Sequence, residues 1–444
     1  MKWYRWLTPG LRVKRWFALL VAGVVVAAIG AAVAVDIEGF DPNFFLTDFI
    51  YLYTKQYFSP LVAGTVLASI GMVLLFTGLR GYVRSIAGAI SPDGSQPLID
   101  VIYRRRHLEQ GARIVALGGG TGLPVLLRGL KEFSSNITAI VTVSDDGGSS
   151  GRLRKLGFLP PGDIRNCLVA LSDAEEMMER LFQHRFQGMG ADLDGHCFGN
   201  LLIAAMTEIS GDFDSAVKET SKVLAIRGHV LPATLENVVL CAELVNGETV
   251  RGQVAVSLAP ERIRRAYLDP ARPRALPEAL DAIRNADAIV LGPGSLFGSV
   301  LPHLLVEDIR NAIAVSPAPR IYVCNAMTQP NETLGFIRAS DHLRVLEQHA
   351  GPGIVDYIIA NGRRPSAAIL QKYHEEGADF VEADERRLMS MGVQPVIEEA
   401  IIVDGYVRHD PAKLAEIVHR IYERSRAAHG SRLAASIEIT KAAA

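Results

Sequence analysis

"RIVALGGGTGLPVLLRGLK", residues 113–131, is the stretch that decides the fold. An apolar run, "IVAL", enters a glycine-rich turn, and the turn opens into the helix-like "PVLLRGLK". A short run that is apolar throughout fits a strand buried on both faces, as a parallel sheet covered by helices requires. The same grammar recurs in "ITAIVTVSDDGG" (137–148), "ADAIVLGPGS" (286–295), "RIYVCNAMT" (320–328), "GIVDYIIANG" (353–362) and "VIEEAIIVDG" (396–405). Each places a strand before an exit rich in Gly, Ser, Asn or Asp. The pattern predicts a three-layer, Rossmann-like α/β domain with a mostly parallel sheet. In "LENVVLCAELVNGETVRGQVAVS" (235–257), Asn246-Gly247 separates two β-like stretches and predicts a hairpin with a primed turn. No fixed-period repeat is evident. The domain is read as residues 111–425, with 426–444 as a flexible tail.

Upstream the chemistry changes. Residues 16–35 and 61–79 are uncharged apolar runs, each long enough to cross a hydrocarbon core of about 30 Å. A cleaved signal peptide and a buried core helix are the competing readings. A transmembrane helical hairpin over residues 1–90 fits better, because a second span follows the first closely. Lys2, Arg5, Arg12, Lys14 and Arg15 flank one span and Arg80, Arg84 and Arg104–Arg106 follow the other, whereas the intervening loop is acidic and aromatic. The positive-inside rule then puts both chain ends, and the main domain, in the cytoplasm of a multi-pass membrane protein. "SPDGSQP" (91–97) begins a linker that runs to residue 110, and "YRRRH" (103–107) is suited to anionic headgroups.

Composition excludes some classes. A formal net charge of −2 over 444 residues provides no basic field for nucleic acid. Cys167, Cys197, Cys241 and Cys324 are widely spaced and read as reduced, packed residues.

Ligands of open α/β sheets bind beyond the carboxyl ends of the strands, where the strand order reverses, so the polar exits should converge. Gly118, Gly119, Gly120, Thr121 and Gly122 suit close approach of a phosphate to a helix start, although a tight turn alone would also use glycines. Leu123 replaces the third glycine of a dinucleotide fingerprint, which disfavours an NAD-linked enzyme. Asp145 and Asp146 are candidates for a ribose hydroxyl or Mg²⁺, with Gly148 and Ser149 in a loop able to meet anions. Arg152 and Arg154 are either a phosphate clamp or solvated arginines of a surface turn. Gly162 and Asp163 start a helix that Asp163 can cap, leaving Arg165 and Asn166 without a structural reason. His196 is a general base or, more commonly for a histidine without an identified partner, a structural residue beside Asn200. Gly292, Gly294 and Ser295 repeat the strand, turn and helix arrangement for a second phosphate or sugar, and Asn325, Thr328 and Gln329 suit hydrogen bonds to uracil or sugar.

"GGGTGL", "SDDGGSSGRLR", "PPGDIRNCLVAL", "GHCFGNLLIAAM", "IRGHVLPAT", "LGPGSLFGS" and "NAMTQPNETLG", in this order, resemble the bacterial gluconeogenesis-factor family. That family shares a superfamily with the phospholactate transferases of coenzyme F420 synthesis, and the resemblance covers roughly residues 111–425. It implies a Rossmann-like domain that binds a UDP-sugar, notably UDP-N-acetylglucosamine, in members tied to cell shape and cell-wall precursor supply. By this likeness the first glycine loop, Asp145, Asn200, Arg227, Gly292–Ser295 and Asn325 to Gln329 surround the ligand. The acidic pair matches the metal position of the transferases. The hairpin resembles the longer, membrane-attached members. Gln253, in "RGQVAV", stands where an acid-bearing segment is expected.

Two functions follow as expectations. One is a non-catalytic nucleotide-sugar sensor read by a protein partner of the precursor pathway. The other is a Mg²⁺-dependent transferase with the metal on Asp145 or Asp146. A homo-oligomer is compatible with either.

Overall fold

The computed structural model describes residues 14–35, 59–90, 106–173, 176–190 and 192–442. The chain forms two units, residues 1–105 and 106–444. The aromatic loop between the apolar runs and most of the expected linker lie outside the described residues.

The first unit pairs helix Lys14–Ala34 with helix Pro60–Ile90. They run antiparallel, since Gly23 lies against Leu75 and Gly30 against Ala68. A Cβ on Gly30 would stand 2.2 Å from the Ala68 backbone nitrogen, so glycine sets how closely the backbones approach. The remaining surface is apolar, with Val24, Val25, Met72 and Phe76 exposed. Both helices are long and apolar enough to cross a membrane.

The second unit is built on a seven-stranded sheet. Its strands are β1 (Ile114–Gly118), β2 (Ile137–Val141), β3 (His229–Pro232), β7 (Ala288–Leu291), β8 (Arg320–Val323), β9 (Tyr357–Asn361) and β10 (Gln394–Glu398). They lie in the order β10-β9-β8-β7-β1-β2-β3, and every pairing is parallel. Val115 and Leu117 face one core, with helices Pro277–Arg284 and Ala339–Ala350; Ile114 and Ala116 face the other, with helices Gly122–Leu130 and Gly162–Leu171. The three layers follow from that alternation. Strand order runs outward from β1 one way and from β7 the other, which makes the β1/β7 border the switch point.

A smaller antiparallel sheet, in the order β5-β4-β6, uses β4 (Val239–Leu244), β5 (Thr249–Arg251) and β6 (Ile263–Asp269). The expected hairpin is present, but its turn is not a primed one. Asn246 is absent from the positive-φ residues while Gly247 has φ +88°, and Leu244 O accepts from Gly247 N. This is a type I turn followed by a left-handed glycine, the three-residue hairpin loop.

The run 396–405 is two strands rather than one. The break falls at Glu399 and Ala400, after Glu398 ends β10 and pairs with Arg420, and the chain turns out into the hairpin of β11 (Ile401–Asp404) and β12 (Tyr406–His409). Helix Pro411–Ala442 carries its backbone on through the segment expected as a tail, residues 426–442. After Pro411 that segment has no proline and a single glycine, Gly430, among residues that favour helix.

Candidate functional site

The glycine loop after β1 sits at the switch point with almost no room for side chains. A Cβ on Gly119 would lie 2.5 Å from Asp163 Oδ2, and one on Gly122 2.5 Å from Pro293 O. The two switch-point turns therefore touch backbone to backbone. His303 Nε2 donates to Gly118 O at 3.0 Å, and burial lowers this imidazole to a pKa of about 4, so it anchors the loop as a neutral ring. Helix Gly122–Leu130 starts after Thr121, whose side chain makes no capping bond. First-turn N–H groups have no partner within a helix, so this start faces the crevice with donors and the positive end of its dipole.

Asp163 does not cap its own helix, which begins behind Pro161 without a side-chain cap. Its carboxyl lies under the glycine loop and takes a hydrogen bond from the Gly120 backbone. Burial is the main cause that raises it to a pKa of about 6, and the neighbouring Asp145 adds to the shift. Its Oδ2 is buried without a partner.

The acidic pair after β2 splits. Asp145 Oδ1 accepts from Gly147 N at 3.0 Å, and its Oδ2 lies near Gly162. Asp146 Oδ1 instead accepts from Val254 N at 2.9 Å, at the start of helix Gln253–Ser257, so it ties the small sheet to the β2 exit. Asp145 stands with Asp163, whereas one oxygen of Asp146, the other expected metal ligand, is taken by Val254 N. Gln253 reaches Gly298 O at 3.3 Å, joining the same roof to the turn after β7. Arg154 reaches Asn237 Oδ1 and the carbonyls of Ser144 and Val238, and Arg152 donates to Asp194 O. Both arginines brace protein segments rather than stand free.

Behind Asp163 lies a buried polar chain. Arg165 donates to Asn200 Oδ1 at 2.8 Å and to Asn166 Oδ1 at 2.7 Å, and Asn166 Nδ2 approaches Gly120 O at 3.4 Å. Asn200 Nδ2 and Cys197 N both donate to Ser149 Oγ, which leaves the serine proton for His196 Nδ1 at 3.1 Å. His196 therefore has a partner, and burial lowers its pKa. Gly148 opens helix Gly148–Lys155 at the exposed rim. Ser149, Arg165 and Asn200 are all nearly inaccessible, so they shape the wall instead of lining it.

The turn after β7 is already filled. Glu332 Oε1 accepts from Ser295 Oγ at 2.5 Å, Phe297 N at 2.7 Å and Gly298 N at 3.3 Å. Of the expected second phosphate position at Gly292, Gly294 and Ser295, the Ser295 hydroxyl is thus engaged by an internal carboxylate, whose pKa burial raises. Asn325 donates to Gly294 O at 2.8 Å. Thr328 is tied to Asp379 through both its backbone and its hydroxyl, while Gln329 Oε1 is buried without a partner.

Arg227 does not reach this crevice. It binds Asp173 at 2.6 Å and Lys131 O at 3.2 Å, just before β3 begins and after helix Gly122–Leu130 ends. That is the amino edge of the sheet, opposite the exits. Among the described residues, no group of three or more His, Cys, Asp or Glu forms a metal cluster. Sequence reading missed Glu332 and His303; Glu332 lies within the quoted "NAMTQPNETLG", but nothing local signals that it folds back onto residue 295.

A family model described as 2-phospho-L-lactate transferase CofD matches residues 114–401. The gluconeogenesis factor of Bacillus subtilis is 50% identical over 312 residues, covering 70% of this chain and 98% of that protein. A gluconeogenesis-factor relative from Nostoc sp. is 45% identical over 428 residues, covering 95% of this chain and 93% of its own length. A crystal structure of a UPF0052-family protein from Bacillus halodurans superposes with a TM-score of 0.67 at 49% identity, covering 70% of this chain and 99% of that one. Relatives thus come in two lengths, and the long one aligns with nearly all of this chain.

Proposed function

This chain belongs to the gluconeogenesis-factor family within the CofD-like superfamily, and from that premise we propose that it is a nucleotide-sugar sensor. Its ligand is a UDP-sugar, UDP-N-acetylglucosamine by the family likeness, with the diphosphate over the glycine loop after β1. A protein of cell-wall precursor synthesis reads its occupancy, which links the chain to cell shape. The observation that carries this reading is the open helix start at Gly122, crowded by backbone and set at the switch point, where an anion meets N–H donors and a helix dipole. The polar groups behind it are bonded to one another, as suits a rigid binding wall.

A second reading, a Mg²⁺-dependent transferase, is favoured by one observation. Asp163 Oδ2 is buried, unpartnered and close to Asp145, and a divalent cation would relieve both carboxylates. Mg²⁺ commonly uses one or two carboxylates together with ligand phosphates. Asp145 and Asp163 would hold it, and it would neutralise charge on the diphosphate. Arg165 supplies a fixed positive charge behind Asp163, and the Gly120 N–H orients that carboxyl.

Calorimetric titration of the full chain in detergent with UDP-N-acetylglucosamine, with and without Mg²⁺, tests the assignment. We expect saturable binding and, by phosphorus NMR after long incubation, unchanged ligand. New phosphorus signals would move the protein to the transferase class, and no heat with any UDP-sugar would remove the ligand. The helical hairpin is proposed to span the cell membrane with the domain in the cytoplasm. Protease added outside spheroplasts should then spare residues 106–444, and their digestion would reverse the orientation.

A further inference from the structure

A cleft of about 190 Å³ lies away from the strand exits, between the end of β4, the start of β6 and helix Ala339–Ala350. Its floor is aromatic. Phe297 and Phe336 stack with centroids 6.4 Å apart at 25°, and His349 meets Phe297 edge-on. His349 is locked there, donating from Nδ1 to Val345 O and accepting at Nε2 from Ala266 N. Its rim is cationic, formed by Arg262, Arg264 and Arg344.

The charges do not cancel. Arg264 pairs with Glu243 at 2.6 Å and Arg344 with Asp341 at 3.1 Å. Arg262 has no carboxylate partner among the described residues; its guanidinium lies 4.8 Å from the centroid of the Phe336 ring. The two rings are nearly inaccessible and support the cleft from below, so an occupant meets Val245 and one surplus cation, which suits a small molecule with an apolar body and a single oxyanion group. A guanidinium forks onto two oxygens of phosphate or carboxylate, and the ring below it keeps the fork flat. The volume is that of about six water molecules, which sets the size class at a small metabolite rather than a nucleotide.

We propose that this cleft is a second ligand site, specific for a small organic oxyanion, and that it is coupled to the nucleotide crevice through the turn at residues 295–298. The coupling runs through hydrogen bonds. Phe297, the floor of the cleft, donates its backbone N–H to Glu332, and the same carboxylate holds Ser295 beside the switch point. A shift of the buried Phe297 on occupation of the cleft therefore acts on the wall of the crevice. Linkage requires the effect to be mutual. Only the coupling rests on the nucleotide-sugar reading; the cleft as an oxyanion site stands independently of it.

The test is calorimetric titration of the full chain in detergent with phenyl phosphate, which combines the ring and the oxyanion. Phenol and inorganic phosphate, which each carry one half of that chemistry, should bind roughly tenfold more weakly. Arg262→Ala should weaken phenyl phosphate binding by about fivefold or more, and Arg262→Lys by less, because the charge remains without the fork. Arg272→Ala, a change at an exposed arginine outside the cleft, should leave it unaltered. Failure of phenyl phosphate to saturate by about 10 mM, or saturation unaffected by Arg262→Ala, overturns the site. Saturating phenyl phosphate should then change the affinity for UDP-N-acetylglucosamine by about threefold or more, an effect lost in Arg262→Ala. An unchanged affinity overturns the coupling. If the UDP-sugar does not bind at all, the nucleotide-sugar reading fails, while the phenyl phosphate titration still decides the cleft.

Discussion

The two glycine turns at the switch point, residues 118–122 after β1 and residues 292–295 after β7, have the same pattern of strand, turn and helix but opposite construction. Each has a buried acid beside it. Under the first turn, Asp163 keeps one oxygen unpartnered, and the helix start at Gly122 stays open. In the second, Glu332 gathers three donors onto one oxygen and closes the helix start from within. Anion binding at a helix amino end therefore depends on whether the rest of the chain has already supplied an anion. The pattern alone predicts two equivalent positions; the structure makes the two turns different.

The strongest way to break this contrast is Glu332→Ala. It strands the Ser295 hydroxyl and the Phe297 N–H, whereas Gly298 N keeps its bond to Ser295 Oγ, a loss of about 3 kcal/mol, with a fall in melting temperature of roughly 4 °C. Glu332→Gln should cost less, because its carbonyl still accepts. An unmoved melting point in the alanine variant, followed by circular dichroism, would show that Glu332 does not satisfy these donors.

Asp163→Asn tests the open turn, with the opposite sign. The carboxyl is raised from 3.8 to about 6, so its stabilising contribution is present below pH 3.8 and is lost as the pH rises through about 6. The asparagine variant should match the parent near pH 3.5. At pH 7 it should be about 2 kcal/mol more stable, while binding any Mg²⁺-dependent ligand more weakly. Equal stability at both pH values, from urea unfolding midpoints, would remove the strain assigned to this acid.

The smallest effect belongs to Arg227→Ala. Its partly exposed pair with Asp173 should contribute under about 1 kcal/mol, and nucleotide-sugar affinity should stay unchanged. A clear loss of affinity with an intact melting curve would bring Arg227 back to the ligand and overturn its placement at the amino edge.

Legibility followed the range of the interactions. Five strands, β1, β2, β7, β8 and β9, were readable because burial leaves an apolar run, and the glycine loop because tight turns have a local signature. β3 and β6 were not identified. β3 is a four-residue edge strand and β6 contains Arg264, Arg265 and Asp269, so neither gives a long apolar run. Among the expected site residues, Gly119 and Asp145 lie beside Asp163, and Gly122 lies against Pro293. Asp146, Arg152 and Arg154 turned out to brace the frame, because each found its partner on a segment far away in sequence.

By itself the sequence determined the two apolar spans, the α/β class, the parallel sheet and the polar exits that form its rim. These follow from hydrophobic period and from backbone geometry at glycine, which act over a few residues. Only the tertiary structure decided which helix start is open, which acid is poised and which arginine is free. Those outcomes are set by single hydrogen bonds between residues such as Ser295 and Glu332, or Arg165 and Asn200, whose meeting depends on how the whole sheet is wound.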